Sequence, residues 1–294
     1  MVVRRLATLH FGILAAAVRI EAPLGLDAYL PTPQSNPLTA ERVTLGRRLF
    51  FEKRLSRDET ISCATCHEPA RGYTDVRPKS IGVSSRRGEF RSPRIINRVY
   101  GKSFFWDGRA KSLEEQVTQP IANPLEMDLP LPQAVSRLAA TSDYPNITLD
   151  DMKLALASYV RTILAGASPY DHHVAGDKTA LGEKAKLGLK IFRTKGACIN
   201  CHVGPNLTDE ALHNTGVGMG SFKTPTLREV ARQGPYMHDG SLSTLEDVID
   251  YYDKGGNKVM GLDAEMQELH LTAEEKSGWV EFLKALTGVI REGL

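Results

Sequence analysis

Two pentapeptides hold the most specific chemistry in this chain, Cys63-Ala64-Thr65-Cys66-His67 and Cys198-Ile199-Asn200-Cys201-His202. A C-x-x-C-H run reads as a c-type haem attachment site. Its thiols add across the haem vinyl groups, and the adjacent imidazole ligates the iron. Two intervening residues let both sulfurs reach one macrocycle while the histidine turns beneath it. All four cysteines lie in these runs, so none is left for another role. A structural zinc and a pair of redox disulfides are the alternatives. Neither accounts for a histidine directly after both pairs. The expectation is two covalently bound haem c groups.

Composition bounds the rest. The 294 residues suffice for two domains of ordinary size. A hydrophobic share of 41% and a charged share of 24% are those of a soluble globular protein. Lys plus Arg at 37 against Asp plus Glu at 35 leaves a formal charge of +2, which gives no electrostatic reason to expect a nucleic-acid partner. At the N-terminus, Arg4 and Arg5 precede an apolar run from Leu6 to Val18 that contains Ala15, Ala16 and Ala17. That is the pattern of an export signal, and the run is too short for a comfortable membrane span. An amphipathic N-terminal helix is the bland alternative. In bacteria c-type attachment takes place outside the cytoplasm, so the expectation is a periplasmic protein. Residues 1–22 would then be a signal peptide, cleaved after Ala17 or Ala22, leaving no membrane span.

The elements that must hold the two motifs come next. Prolines 23, 31, 33 and 37 preclude a continuous helix, so residues 23–38 read as an extended arm. Thr39 is placed to cap a helix running to about Glu52, with Val43, Leu45 and Leu49 among its apolar positions. A second helix, Thr179 to Thr194, precedes the second motif. These two are copies: Leu45-Gly46-Arg47-Arg48-Leu49-Phe50 matches Leu187-Gly188-Leu189-Lys190-Ile191-Phe192, each shortly before its C-x-x-C-H run. Glycine inside a helix costs about 1 kcal/mol against alanine, so Gly46 and Gly188 are expected to permit close helix contact. Each half also ends in a helix with an aromatic-Val pair, Tyr159-Val160 and Trp279-Val280. The repeat predicts two helical haem modules on one plan.

Residues 68–132 and 204–240 are rich in loops, which in small domains signals function. A helix from about Thr148 to Leu164 closes the first half, and Ala165-Gly166-Ala167-Ser168-Pro169 breaks it. Helices at Leu245–Tyr252 and Ala273–Leu286 finish the second. The expected fold is mainly α: two cytochrome c-like haem domains with long loops, at residues 39–168 and 169–294.

Beyond the two motifs, the chain carries Phe105-Trp106-Asp107-Gly108-Arg109, Glu114-Glu115-Gln116 and Asn123-Pro124-Leu125-Glu126-Met127. Its second half adds Phe222-Lys223-Thr224-Pro225-Thr226-Leu227-Arg228 and Pro235-Tyr236-Met237-His238-Asp239-Gly240. With these markers it resembles the bacterial di-haem cytochrome c peroxidase / MauG family from Leu38 to Gly288. The resemblance implies that the first haem, on His67, meets hydrogen peroxide, and that the second, on His202, passes electrons. It implies that Trp106 lies between the haems as a stepping stone for electrons. It also implies that Gln116 and Glu126 stand over the first iron, with Glu126 shuttling a proton between the peroxide oxygens. Pro120 falls where the MauG branch has a proline facing the open side of that haem. Without the family context, Trp106 would read as a core aromatic and Glu126 as a solvated carboxylate.

Three positions depart from the peroxidase pattern. Where many family members place a histidine that blocks the first iron, this chain has Val83, and no histidine occurs between His67 and His172. Met127 is a formal candidate for a sixth ligand, but nothing in the sequence places it over iron. The expectation is an open first haem that needs no reductive unlocking. Where peroxidases ligate the second iron with methionine, fourteen residues after His238, this chain has Tyr252. A phenolate favours oxidised iron, whereas a thioether favours the reduced form. Tyr251, Met219, Met237 and Met260 are the weaker alternatives. Finally, the family's calcium-binding asparagine corresponds to Arg91. A guanidinium has no oxygen to give a calcium ion, so the expectation is that its charge replaces the metal, with calcium left open.

These departures favour a MauG-like di-haem enzyme that uses hydrogen peroxide to form high-valent haem iron and oxidises Trp or Tyr side chains of a periplasmic partner protein. MauG has a surface tryptophan two residues before its second motif; Gly196 stands there in this chain, so the same exit route and substrate are not implied, and Trp279 reads as core. An ordinary cytochrome c peroxidase, fed electrons by a small redox protein, is the alternative. A di-haem electron carrier without chemistry is the third reading.

Overall fold

Capped helices arranged in two pairs form the frame of the computed structural model, which describes residues 17–294. The export-signal reading falls mostly on residues 1–16, outside the described residues. The elements run in the order α1 (Ala40–Phe50), α2 (Cys63–Cys66), α3 (Leu113–Gln116), α4 (Gln119–Ala122), α5 (Leu131–Ala139), α6 (Leu149–Arg161) and β1 (Leu164–Gly166). Then follow α7 (Pro169–Val174), α8 (Glu183–Arg193), β2 (Leu212–His213), β3 (Phe222–Lys223), α9 (Leu245–Asp253), α10 (Ala273–Lys284) and β4 (Val289–Arg291). Helices dominate, and the strands form two short antiparallel pairs, β1 with β4 and β2 with β3. No helix among the described residues is long and apolar enough to cross a membrane.

Local chemistry fixes the helix starts. The Thr39 hydroxyl accepts the Arg42 amide at the head of α1. At α6 and α10, Thr148 with Asp151 and Thr272 with Glu275 form reciprocal capping boxes. Residues 23–38 contain no helix, in keeping with their prolines. The reading of a helix through Leu164 overshoots, because α6 ends at Arg161 and the backbone turns at Thr162, whose hydroxyl bonds the Tyr159 carbonyl at 2.7 Å. Leu164 then begins β1.

Both glycines of the repeated hexapeptide sit where helices meet backbone to backbone. A Cβ added at Gly46 of α1 would lie 1.9 Å from the Ala155 carbonyl oxygen of α6. One added at Gly188 of α8 would lie 2.0 Å from the Gly278 carbonyl oxygen of α10. Around these seams lie two cores. Val43, Leu49 and Phe50 pack with Met152, Leu156 and Tyr159 in the first. Leu189, Ile191 and Phe192 pack with Trp279, Val280 and Phe282 in the second.

The chain ends cross between the halves. Residue Ala165 pairs with Ile290, so β4 brings the C-terminus back to the first core. Between the cores, Arg98 makes a bidentate bond to Glu210 at 2.7 and 2.9 Å, and Lys223 reaches the same carboxylate at 3.1 Å. All three side chains are buried. Together they carry a net charge of one positive unit.

Candidate functional site

Helix α2 is a single turn, so Cys63 and Cys66, three apart, project to the same side. The His67 amide closes that turn on the Cys63 carbonyl at 2.9 Å. All three side chains line a cavity of about 480 Å³. Burial pushes the Cys63 thiol up to about 12 and the Cys66 thiol up to about 11. Burial also pulls His67 down to about 4. The site therefore presents two neutral thiols and a neutral imidazole, the protonation states a haem attachment motif needs. His67 Nδ1 is buried without a hydrogen-bond partner in the polypeptide. The cysteines are free of disulfides, and the cavity has the size of a cofactor site. This donor set fits a haem.

The same cavity is lined by Trp106, Gln116, Pro120 and Glu126. Short elements bring them there: Gln116 ends α3, Pro120 is the second residue of α4, and Glu126 lies in the turn beyond. That turn is tied down by bonds from the Met127 amide to the Pro120 carbonyl and from the Val83 amide to the Glu126 carbonyl. Val83 itself is fully buried, so the loop that would carry a blocking histidine is packed against the Glu126 segment. His67 is the sole histidine on the cavity wall among the described residues. Burial raises the Glu126 carboxyl above its ordinary range, opposed by a 2.7 Å bond from Asn123 Nδ2 and by the Arg109 charge. Asn123 was quoted in the motif without a role; its i, i+3 spacing to Glu126 is the sequence signal for this contact. Met127 also borders the cavity and is buried.

Trp106 is held from both halves of the chain. Its indole Nε1 donates to the Arg91 carbonyl at 2.8 Å, and its own carbonyl accepts the Lys223 amide at 2.7 Å. Its ring meets the edge of His238 at a centroid distance of 6.3 Å, and His238 stacks on Phe222 at 3.4 Å. Arg91 is buried, and its amide donates to the His238 carbonyl. Its Nη2 donates to the Asp75 carbonyl at 3.1 Å and the Gln233 carbonyl at 3.3 Å, while Nε is buried without a partner. Burial lowers this guanidinium to about 10, so it remains charged at neutral pH. A cation thus bridges backbone oxygens of the two halves next to Trp106.

At the second motif a single 3₁₀ turn, Cys198–Asn200, carries the thiols. His202 Nδ1 lies 3.1 Å from the Leu207 carbonyl. That bond leaves Nε2 as the nitrogen for a metal. Burial lowers His202 to about 4 and raises Cys198 to about 12 and Cys201 to about 11. Tyr252, near the end of α9, and Cys198 both pack against the second core. Burial, then the nearness of Cys198, keeps the Tyr252 phenol protonated far above its usual range, with the Thr215 side chain a partial offset. The hydroxyl of its neighbour Tyr251 is already committed, donating to the Thr215 carbonyl at 2.9 Å.

Met219 and Met260 point into solvent, 94% and 98% exposed, which sets them apart from any buried ligand position. Met237 and Met266 pack in a small cluster with Tyr251 and Val217; Met266 was not singled out by sequence. Gly196 makes room for Trp279, since a Cβ there would lie 3.3 Å from the indole, and Trp279 is buried. Cys201, Asp209 and His213 also converge, but His213 is already hydrogen-bonded to Asp209 and Asp263.

Comparison with known proteins gives a consistent result. A family model described as di-haem cytochrome c peroxidase matches residues 40–179. Methylamine utilization protein MauG of Methylorubrum extorquens is 37% identical over 286 residues, covering 87% of this chain and 81% of that protein. Cytochrome c551 peroxidase of Nitrosomonas europaea is 31% identical over 314 residues, covering 96% and 90%. Among solved structures, a MauG-like protein associated with microbial copper homeostasis superposes with a TM-score of 0.80 at 29% identity, covering 92% of this chain and 94% of that one.

Proposed function

The chain belongs to the di-haem cytochrome c peroxidase family and is a peroxidase-type oxidoreductase, and from that premise we propose that it acts as a MauG-like enzyme, oxidising aromatic side chains of a periplasmic partner protein at the expense of hydrogen peroxide. The observation that carries this reading is Tyr252, which packs with Cys198 against the second core while the hydroxyl of Tyr251 is engaged elsewhere. The residues that would hold the two covalent haems are Cys63, Cys66 and His67, then Cys198, Cys201, His202 and Tyr252. Haem iron, when bound, supplies the reduction of hydrogen peroxide and stores the oxidising equivalents.

The polypeptide contributes the proton handling and the path. Glu126, biased toward the neutral form by burial and toward the ionised form by Asn123, takes a proton from one peroxide oxygen and returns it to the other. Gln116, on the same cavity wall, would donate a hydrogen bond to the peroxide, and Pro120 makes its part of the wall apolar. Trp106, fixed by bonds from both halves, lies on the route between the motifs and relays electrons. Arg91 occupies a carbonyl-lined position with its own charge, so the enzyme needs no calcium there.

Tyr252→Phe tests the reading. Wild-type ferric protein treated with hydrogen peroxide, with no reductant added, is expected to hold a long-lived oxidised state visible in its absorption spectrum. The variant should keep both haems and lose that state. A variant spectrum and lifetime matching wild type would remove Tyr252 as a ligand. Rapid turnover with a reduced small cytochrome would favour a peroxidase like the Nitrosomonas relative instead.

A further inference from the structure

A second oxidisable site lies beside the first cavity and takes no part in the mechanism above. Phe50 lines that cavity. Behind it stand two tyrosines, Tyr159 at a ring-centroid distance of 5.2 Å and Tyr73 at 6.2 Å. Both are buried, at 0% and 2% exposure. Their hydroxyl oxygens are 3.5 Å apart, and both donate to one carboxylate oxygen, Oε2 of Glu292, the Tyr73 bond being 2.7 Å long. The other carboxylate oxygen is bonded by Arg47 at 3.0 Å, and that guanidinium side chain is 55% exposed. A continuous line therefore runs from the cavity wall, through two phenols, to a charge at the surface.

Several features of the cluster exceed what packing requires. A half-buried carboxylate brought against two buried phenols is partly desolvated, a cost that packing alone would not impose. Tyr73 adopts φ +60°, a left-handed conformation that is a strained outlier for a bulky side chain. Burial holds both phenols in the protonated form. Although burial acts against it, Glu292 stays below the usual carboxylate range because Tyr159, Tyr73 and Arg47 bond to it. The cluster thus rests as two neutral phenols facing one anionic acceptor.

We propose that Tyr159 and Tyr73, with Glu292 as their proton acceptor, form a one-electron donor site that discharges an oxidising equivalent from the first cavity. One phenol gives one electron to the peroxide-derived oxidant at the first motif. Its O–H proton moves to the Glu292 carboxylate, leaving a neutral tyrosyl radical and a carboxylic acid, and the oxidant is reduced by one electron. The second phenol stays hydrogen-bonded and stabilises the radical oxygen.

The inference rests on the peroxide-using reading of the first site. It is tested by freeze-quench electron paramagnetic resonance of the holoprotein after hydrogen peroxide, with the loss of peroxide followed in the same samples. Protein grown with ring-deuterated tyrosine, which changes no contact, should show a radical signal with narrowed hyperfine structure. Tyr73→Phe/Tyr159→Phe should abolish that signal while peroxide is consumed at the wild-type rate. Glu292→Gln should shorten its life. If peroxide is consumed but the signal is absent, insensitive to deuteration, or intact in the double variant, the tyrosine site is refuted and the functional reading stands. If peroxide is not consumed at all, both fall.

Discussion

Replacing Glu126 by glutamine separates proton transfer from everything else this side chain does. The volume is nearly unchanged, and the amide oxygen can still accept the Asn123 Nδ2 bond that is 2.7 Å long in the native protein. What is lost is the ability to take and return a proton. A positioned general acid-base group contributes about 10²–10⁴ in rate, or about 2.7–5.4 kcal/mol of barrier at 1.36 kcal/mol per factor of ten. Glu126→Gln should therefore slow the reaction with hydrogen peroxide by about that factor, while the thermal melt moves by less than about 1 kcal/mol.

The assay is stopped-flow absorbance of the ferric holoprotein against peroxide concentration across pH. The sign follows from the protonation states. The wild-type rate requires an ionised Glu126, so it falls as pH drops through the raised pKa of this buried carboxyl. Asn123→Ala removes a donor to the carboxylate worth about 1.5–3 kcal/mol. The ionised form is then less favoured, and the acid limb moves to higher pH. The Glu126→Gln variant should be slow and flat over the same range. A rate within a factor of about 3 of wild type, less than about 0.7 kcal/mol, would refute the assignment of proton transfer to Glu126. A limb moving to lower pH in Asn123→Ala would refute the role given to its hydrogen bond.

Two further outcomes follow from the frame. Arg91→Ala leaves the Asp75 and Gln233 carbonyls without a donor, at about 1–3 kcal/mol for each buried group, and should lower the melting temperature; elemental analysis of the wild-type protein should find no stoichiometric calcium, and one tightly held calcium ion would remove the idea that Arg91 stands in for it. Gly188→Ala drives a Cβ to 2.0 Å from the Gly278 carbonyl oxygen, so α8 and α10 must separate; overpacking of this kind costs about 1–3 kcal/mol, and calorimetry should record a melt lower by several degrees, whereas an unchanged melt would show the seam to be looser than described.

Sequence was most informative where chemistry is local. The C-x-x-C-H runs state their purpose within five residues, and Thr39 marks the start of α1 as a cap, whereas the capping pairs Thr148/Asp151 and Thr272/Glu275 emerged only from the structure. The repeated Gly46 and Gly188 pointed to close helix seams because a glycine inside a helix needs a reason. By contrast, α3 and α4 are four residues each, too short to show a period, yet they present Gln116 and Pro120 to the cavity. The pairing of β1 with β4 joins residues more than a hundred positions apart, and no local preference encodes it. Arg91 was legible as a charge in an unusual place, but its carbonyl partners come from both halves. The Tyr73–Glu292 bond spans 219 positions and was not anticipated.

One frame used twice can give two different sites because the frame and the sites are made of different parts. The seams α1–α6 and α8–α10 are set by backbone approach at Gly46 and Gly188, and any other residue there forces the helices apart. That constraint leaves the intervening loops free. In the first half, residues 68–132 supply much of a cavity wall with Glu126, Gln116 and Pro120 on it, where His67 is the one histidine among the described residues. In the second, α9 packs Tyr252 against the same core as Cys198 instead. Two such sites act as one only if something rigid joins them. Trp106 is tied to both halves, through its indole to the Arg91 carbonyl and through its carbonyl to the Lys223 amide, and Arg91 also reaches the Gln233 carbonyl of the second half. The loops thus line the two motifs with different side chains, and in the reading proposed above it is Trp106, held by both halves, that would couple them.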